Sequence, residues 1–143
     1  EEPDVYRKLM MRLKRKIDNS RADLPAPVMR EEEEQAVGII YMGSMENTIQ
    51  EIDDMIEETG LKVSQCRIRA MPIHPDVESF IERHERVIVL EINRDGQLYG
   101  VLRKELPNDL ASRISSVAYS DGMPPRARIY ADMILETLRE VKP

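Results

Sequence analysis

Four short apolar segments alternate with four amphipathic stretches along this chain, and this alternation limits the fold more than any other feature. We predict strands at Ala36–Met42, Val63–Arg69, Arg86–Glu91 and Arg113–Tyr119. Each strand is followed by residues that are apolar at intervals of three and four, which is the period of a helix. Strands that are apolar on both faces need helices on both sides of their sheet. The sequence therefore predicts a three-layer α/β/α domain with a mostly parallel sheet.

Several residues are typical of helix ends. Ser44 is a candidate N-cap for the first helix of this alternation, which is expected to stop at Gly60. Pro75 suits the first turn of the next helix. Asp95 is expected to cap the helix that starts near Gly96.

The first 35 residues have a different character. Apolar residues recur at helical spacing from Tyr6 to Ile17, after Pro3 and several acidic residues, which predicts an amphipathic helix. Positions 1–21 hold seven Lys and Arg against four Asp and Glu, although the whole chain has a net charge of −6. The prolines and glutamates of Arg21–Gln35 predict an exposed linker. We therefore divide the chain into a connecting helix and linker, 1–35, and an α/β domain, 36–143.

Composition excludes several classes of function. The 143 residues suit one domain, and no apolar run approaches the ~20 residues of a membrane span. An acidic chain without Trp is unlike a nucleic-acid-binding protein. Because the first residues show no signal peptide, a cytoplasmic location is the expectation. One cysteine and two histidines predict no metal or iron–sulfur site in this segment.

Familiar cofactor and nucleophile motifs are also missing. "GSMENT", after the first strand, has one glycine where a dinucleotide fold has three. The third strand ends in Glu91, where a receiver domain would have a phosphoacceptor Asp, and no G-x-S-x-G nucleophile elbow occurs. We expect no catalytic residue and no bound cofactor in this segment.

The strand ends hold the best candidate site, since open α/β sheets bind ligands beyond the carboxyl ends of their strands. The cluster after the third strand consists of Glu91, Asn93, Arg94, Asp95, Gly96 and Gln97. Gly96 would allow close backbone approach, and the next helix could face an anion. A turn that caps this helix and contacts another domain or subunit is favoured over a catalytic site.

Three further residues have chemistry to consider. His74 lies between two prolines, where a turn role and an interface contact are both open. His84 closes an apolar helix stripe and is interpreted as a packing or hydrogen-bonding residue. Cys66 lies inside a strand, where cysteine usually behaves as a small buried apolar residue.

The stretch Arg67–Leu98 resembles a known family. Its pattern is R-x-x-P-x-H-P followed by H-x-R-V-x-V-x-E-x-N-R-D-G-Q-L, and it is similar to the last domain of the α subunit of 2-oxoacid:ferredoxin oxidoreductases of the 2-oxoglutarate synthase type. The similarity extends from "VGIIYMGS" to "AYSDGMPPRARIYADMI". Met42 stands where that family usually has a Trp before Gly-Ser.

This resemblance implies a transketolase C-terminal-like domain within a larger hetero-oligomeric enzyme. The holoenzyme oxidatively decarboxylates a 2-oxoacid with coenzyme A and reduces ferredoxin, using thiamine diphosphate, Mg²⁺ and a [4Fe–4S] cluster. The resemblance places a pyrimidine-binding domain before this segment, and the diphosphate site and cluster in a β subunit. Arg69, His74 and the turn after Glu91 are then expected at domain or subunit contacts near the active site.

Two alternatives remain open at this point. One is a free-standing α/β binding or regulatory module. The other is the equivalent domain of a pyruvate-dehydrogenase-type E1 β chain, which would pair with a lipoyl partner instead of ferredoxin.

Overall fold

A computed structural model describes residues 2–32 and 37–140 of the chain. The predicted start of the α/β domain at Ala36 and the last apolar position of the final helix, Val141, lie outside these residues. Within the described ranges, no helix is long and apolar enough to cross a membrane.

The chain forms six helices and five strands within the described residues, besides two 3₁₀ turns. The strands are β1 (Val28–Arg30), β2 (Val37–Met42), β3 (Ser64–Ile68), β4 (Arg86–Glu91) and β5 (Ile114–Ala118). The helices are α1 (Pro3–Ser20), α2 (Ile49–Glu57), α3 (Pro75–Glu82), α4 (Gln97–Glu105), α5 (Asn108–Ala111) and α6 (Ala127–Glu140). The 3₁₀ turns are Arg21–Asp23 and Gly43–Asn47.

The five strands make one sheet in the order β1-β3-β2-β4-β5. Strands β3, β2, β4 and β5 run parallel, while β1 pairs antiparallel with β3 at the edge. Helices α2 and α6 cover one face of this sheet, and α3, α4 and α5 cover the other. The predicted three-layer α/β/α architecture with a mostly parallel sheet is confirmed.

Strand β4 shows why the central strands are apolar throughout. Ile88 and Leu90 pack into the cluster under α2 and α6, whereas Val87 and Val89 pack into the cluster under α3 and α4. Successive side chains of a strand point to opposite faces, so a strand covered on both sides needs an apolar residue at each position.

The predicted linker contains structure that its sequence pattern does not signal. Val28–Arg30 forms the edge strand β1, and Arg30 Nη1 donates a 2.7 Å hydrogen bond to Asp53 of α2. Arg21 Nε donates to the Ile73 carbonyl at 2.7 Å, and Arg69 Nε donates to the Ala26 carbonyl at 2.9 Å. The segment is therefore attached to the α/β body, and it contains a mostly exposed strand where only an exposed linker was predicted.

Helix α1 contrasts with all the others because none of its described residues is buried. Its apolar stripe consists of side chains that are 38–57% exposed, at Tyr6, Leu9, Met10, Leu13 and Ile17. Lys8, Arg12 and Lys16 follow one another at four-residue intervals and so form a basic ridge beside this stripe.

Candidate functional site

The candidate site lies where the order of the strands reverses. After β2 the chain adds β3 on one side of it, and then crosses over to add β4 on the other side. The carboxyl ends of β2 and β4 therefore flank a topological switch point, which is the place where open α/β sheets bind ligands.

Glu91, the last residue of β4, is buried and serves the start of α4. Its Oε2 accepts hydrogen bonds from the Leu98 N–H at 2.7 Å and from Asn93 Nδ2 at 2.6 Å, while its Oε1 accepts from the Tyr99 N–H at 2.9 Å. The first N–H groups of a helix lack partners within the helix and attract negative charge. The protein's own carboxylate therefore occupies the position at α4 where a phosphate would bind.

Asn93 and Gly96 shape the turn that connects β4 to α4. Asn93 Oδ1 accepts hydrogen bonds from the Asp95 N–H at 3.0 Å and the Gly96 N–H at 2.8 Å. Gly96 has φ +62°, and a Cβ there would lie 3.0 Å from Ser116 Oγ on β5. Both the left-handed conformation and the close neighbour favour glycine at this position.

Asp95 does not cap α4, contrary to the sequence-based prediction. Its carboxylate pairs with the neighbouring Arg94 at 2.7 Å, and the Arg94 side chain is 87% exposed. Glu91 takes the capping role because it reaches the helix from the strand, a contact that local cap rules do not describe. Arg94 and Asp95 instead form an exposed charged pair at the tip of the turn.

A cavity of about 360 Å³ opens between the ends of β2 and β4. Three of the predicted site residues line it, namely Glu91, Asn93 and Gln97. Residues that the sequence did not single out complete its wall, among them Met71 and Val101. Val101 is 37% exposed and faces this cavity.

The end of β2 differs from its predicted form. Ser44 lies within the 3₁₀ turn Gly43–Asn47, so α2 begins later, at Ile49, and Ser44 is not its N-cap. Met42, where the family similarity leads one to expect Trp, is 38% exposed and lines the cavity with Ser44.

The other two predicted site residues hold loops together. His74 caps α3, since its Nδ1 accepts a 3.2 Å hydrogen bond from the Asp76 N–H, and Arg69 fixes the segment before β1. Neither residue lines the cavity. His84 is fully buried with Nδ1 2.7 Å from the Phe80 carbonyl oxygen, so its packing and hydrogen-bonding role is confirmed.

Among the residues that the structure describes, no group of three His, Cys, Asp or Glu side chains could hold a metal ion.

Cys66 is expected to be inert to alkylation in the folded protein. Its side chain is completely buried in β3, and burial raises the pKa of the thiol to about 12. The shift from 9.0 lowers the thiolate fraction about a thousandfold at neutral pH. Iodoacetamide followed by mass spectrometry should label Cys66 only in denaturant, and rapid labelling of the native protein would contradict this buried placement.

Comparison with solved structures places this geometry in a class. The chain is similar to an inactive β4 tetramer of a split-gene transketolase, with a TM-score of 0.56 and 18% identity over 78% of this chain and 41% of that chain. Together with the sheet order and the helices on both faces, this likeness shows a transketolase C-terminal-like α/β fold.

A second likeness is more specific. The chain is similar to a 2-oxoglutarate:ferredoxin oxidoreductase from Magnetococcus marinus, solved with 2-oxoglutarate, coenzyme A and succinyl-CoA bound. The TM-score is 0.74 with 26% identity, over 95% of this chain and 24% of that chain. This chain thus spans about a quarter of that oxidoreductase chain. No protein-family model and no curated protein sequence matches it.

Proposed function

We propose that this chain is the C-terminal domain of the α subunit of a 2-oxoacid:ferredoxin oxidoreductase, with 2-oxoglutarate as the substrate of the whole enzyme. The similarity to the Magnetococcus marinus enzyme over 95% of the chain carries this proposal. In this role the domain supports assembly and the active site of a cytoplasmic enzyme, and by itself it is inactive.

The residues of the family-like pattern support a scaffolding role because most of them hold secondary structure together. Glu91 caps α4, Asn93 shapes the turn, and His74 caps α3. Arg86 donates hydrogen bonds of 2.7 and 2.9 Å to the carbonyls of Leu138 and Thr137 at the end of α6. Contacts of this kind stabilise the fold of a domain, and none of them forms a reaction centre.

The start of α4 and the single cysteine do not fit a diphosphate group or an iron–sulfur cluster. The start of α4 already binds the Glu91 carboxylate, which leaves the Leu98 and Tyr99 N–H groups unable to bind a diphosphate. Cys66 is the single cysteine and is buried, whereas a [4Fe–4S] cluster needs several thiolates. In this proposal thiamine diphosphate, Mg²⁺ and the cluster are held by the preceding pyrimidine-binding domain and a β subunit, which also act on coenzyme A and ferredoxin.

The exposed apolar stripe of α1 supports the proposal that this domain is part of a larger enzyme. A helix of 18 residues with an apolar stripe and no buried residue is unusual on a protein surface that contacts no other domain or subunit. We assign this stripe to a contact with the preceding domain of the same subunit. The basic ridge of Lys8, Arg12 and Lys16 suits a groove edged with carboxylates there.

Disruption of this stripe in the whole enzyme tests the proposal. In Leu9→Gln/Leu13→Gln, trypsin should cleave α1 at least about tenfold faster than in the unmodified enzyme. A loss of about 1.4 kcal/mol in the free energy that holds α1 against the preceding domain already gives that factor. The rate of ferredoxin reduction with 2-oxoglutarate should be lower in the same variant. Met11→Gln is the matched control, since Met11 lies two positions from both leucines and so on the other side of the helix.

Variants at the turn after β4 test its contact role. Asn93→Ala and Asp95→Ala in the whole enzyme are expected to weaken assembly or turnover. A free-standing regulatory module is indicated if none of these variants changes either property and no 2-oxoacid-dependent ferredoxin reduction is found. Turnover with a lipoyl partner in place of ferredoxin would instead identify the E1 β alternative.

A further inference from the structure

The cavity between β2 and β4 has the position and size of a ligand site. It lies at the topological switch point of the sheet, beyond the carboxyl ends of two central strands. Its volume of about 360 Å³ falls within the range of pockets that bind small molecules, roughly 300–1,000 Å³. The hydrogen bonds by which Glu91 and Asn93 hold α4 and its turn leave this space open.

The wall of the cavity is mostly apolar. Leu90 and Leu98 are buried at its base. Met42, Met71 and Val101 surround the mouth with side chains that are 38%, 43% and 37% exposed. Flexible thioether side chains adapt to aliphatic groups of irregular shape.

Two polar side chains of the wall remain free to bind a ligand. Among the described residues, neither the Ser44 hydroxyl nor the Gln97 amide takes part in a hydrogen bond, and both side chains line the cavity. Asn93, by contrast, already donates to Glu91 and accepts from two backbone N–H groups. The cavity thus offers one hydroxyl and one amide beside an aliphatic surface.

The charge of the wall excludes anionic ligands. Glu91 brings a buried carboxylate to the cavity and binds the N–H groups that would otherwise attract an anion. Its two oxygens already accept three hydrogen bonds, so it has little capacity left for a cation. An uncharged polar group fits this wall best.

We propose that this cavity binds a short aliphatic molecule that ends in an uncharged amide or hydroxyl group. The aliphatic part lies against Met42, Met71 and Val101, and the polar end meets Ser44 and Gln97. The proposal rests on the cavity of this chain alone, and it holds whether or not the chain belongs to an oxidoreductase.

Hexanamide and hexanoate are matched probes for this site, since they have the same chain length and differ in charge. In protein labelled with ¹³C at the methionine methyl groups, hexanamide should shift the signals of Met42 and Met71 among the nine methionines, with a Kd on the order of 1 mM. Hexanoate should bind at least about tenfold more weakly, because the Glu91 carboxylate repels it.

Filling the cavity provides the second arm of the test. Val101→Trp should abolish the shifts that hexanamide causes, while Val28→Trp, at an exposed position of the edge strand β1, should leave them unchanged. The proposal is overturned if hexanamide shifts neither methionine, if hexanoate binds equally well, or if Val101→Trp binds hexanamide undiminished. Because the comparison of the two probes uses the unmodified protein, a variant that failed to fold would not remove the test.

Discussion

Replacing Glu91 with Ala is expected to lower the free energy of unfolding by about 3–5 kcal/mol, since each buried N–H group left without a partner costs about 1–3 kcal/mol. The variant loses the acceptor for the Leu98 and Tyr99 N–H groups and for Asn93. Glu91→Gln keeps one acceptor oxygen and should lose roughly half as much. Urea denaturation followed by circular dichroism measures all of these differences.

Asp95→Ala is the matched control for this experiment. Asp95 carries the same charge four residues away, but its carboxylate pairs only with the exposed Arg94, so its loss should cost no more than about 0.5 kcal/mol. Equal effects of Glu91→Ala and Asp95→Ala would show that the strand carboxylate does not hold α4.

Phe80 and Gly38 form a second site with a large expected effect. Phe80 on α3 is fully buried, and a Cβ placed on Gly38 of β2 would lie 2.7 Å from its Cε1 atom. Phe80→Ala should cost about 3–5 kcal/mol because it leaves a cavity. Gly38→Ala should cost about 1–3 kcal/mol because the phenyl ring cannot withdraw from a packed core.

The effects of Phe80→Ala and Gly38→Ala on the free energy of unfolding should not be additive. Once Phe80→Ala has removed the ring, the methyl group of Gly38→Ala keeps only its close approach of 3.2 Å to His84 Cγ, and its cost should fall well below the cost in the unmodified protein. A double-mutant cycle in urea measures this coupling. Strict additivity would mean that the Phe80 ring does not limit the side chain at position 38.

The layers of the fold were predictable because burial leaves a periodic trace in the sequence. A strand such as β4 must be apolar at every position when both faces are covered, and its predicted bounds, Arg86–Glu91, agree with the structure. Pro75 likewise identified the start of α3. These features depend on residues that are close in sequence.

Features that join distant segments were not predictable in the same way. Strand β1 has three residues with a mostly exposed pattern, and it exists because β3 offers a free edge. The cap of α4 comes from Glu91, seven residues before Leu98, instead of the adjacent Asp95. Met42 and Met71 line the same cavity although they are 29 residues apart, and no local spacing in the sequence predicts this.

The members of the predicted polar cluster after β4 occupy different surroundings in the structure. Glu91, Asn93 and Gln97 line the cavity, whereas Arg94 and Asp95 pair with each other in solvent. A sequence shows that polar residues follow a strand, yet it does not show which of them turn inward. That choice depends on the packing of α4 against β4 and β5.

Two arginine hydrogen bonds attach the C-terminal end of α1 to the α/β domain. Arg21, just after the helix, holds the carbonyl of Ile73, and Arg69 holds the carbonyl of Ala26. Both contacts end in the short loop between β3 and α3, the same loop that places Met71 in the wall of the cavity. The C-terminal end of α1 is therefore attached to the loop that lines the cavity. A change in the angle of α1 would shift backbone that lies only a few residues from Met71.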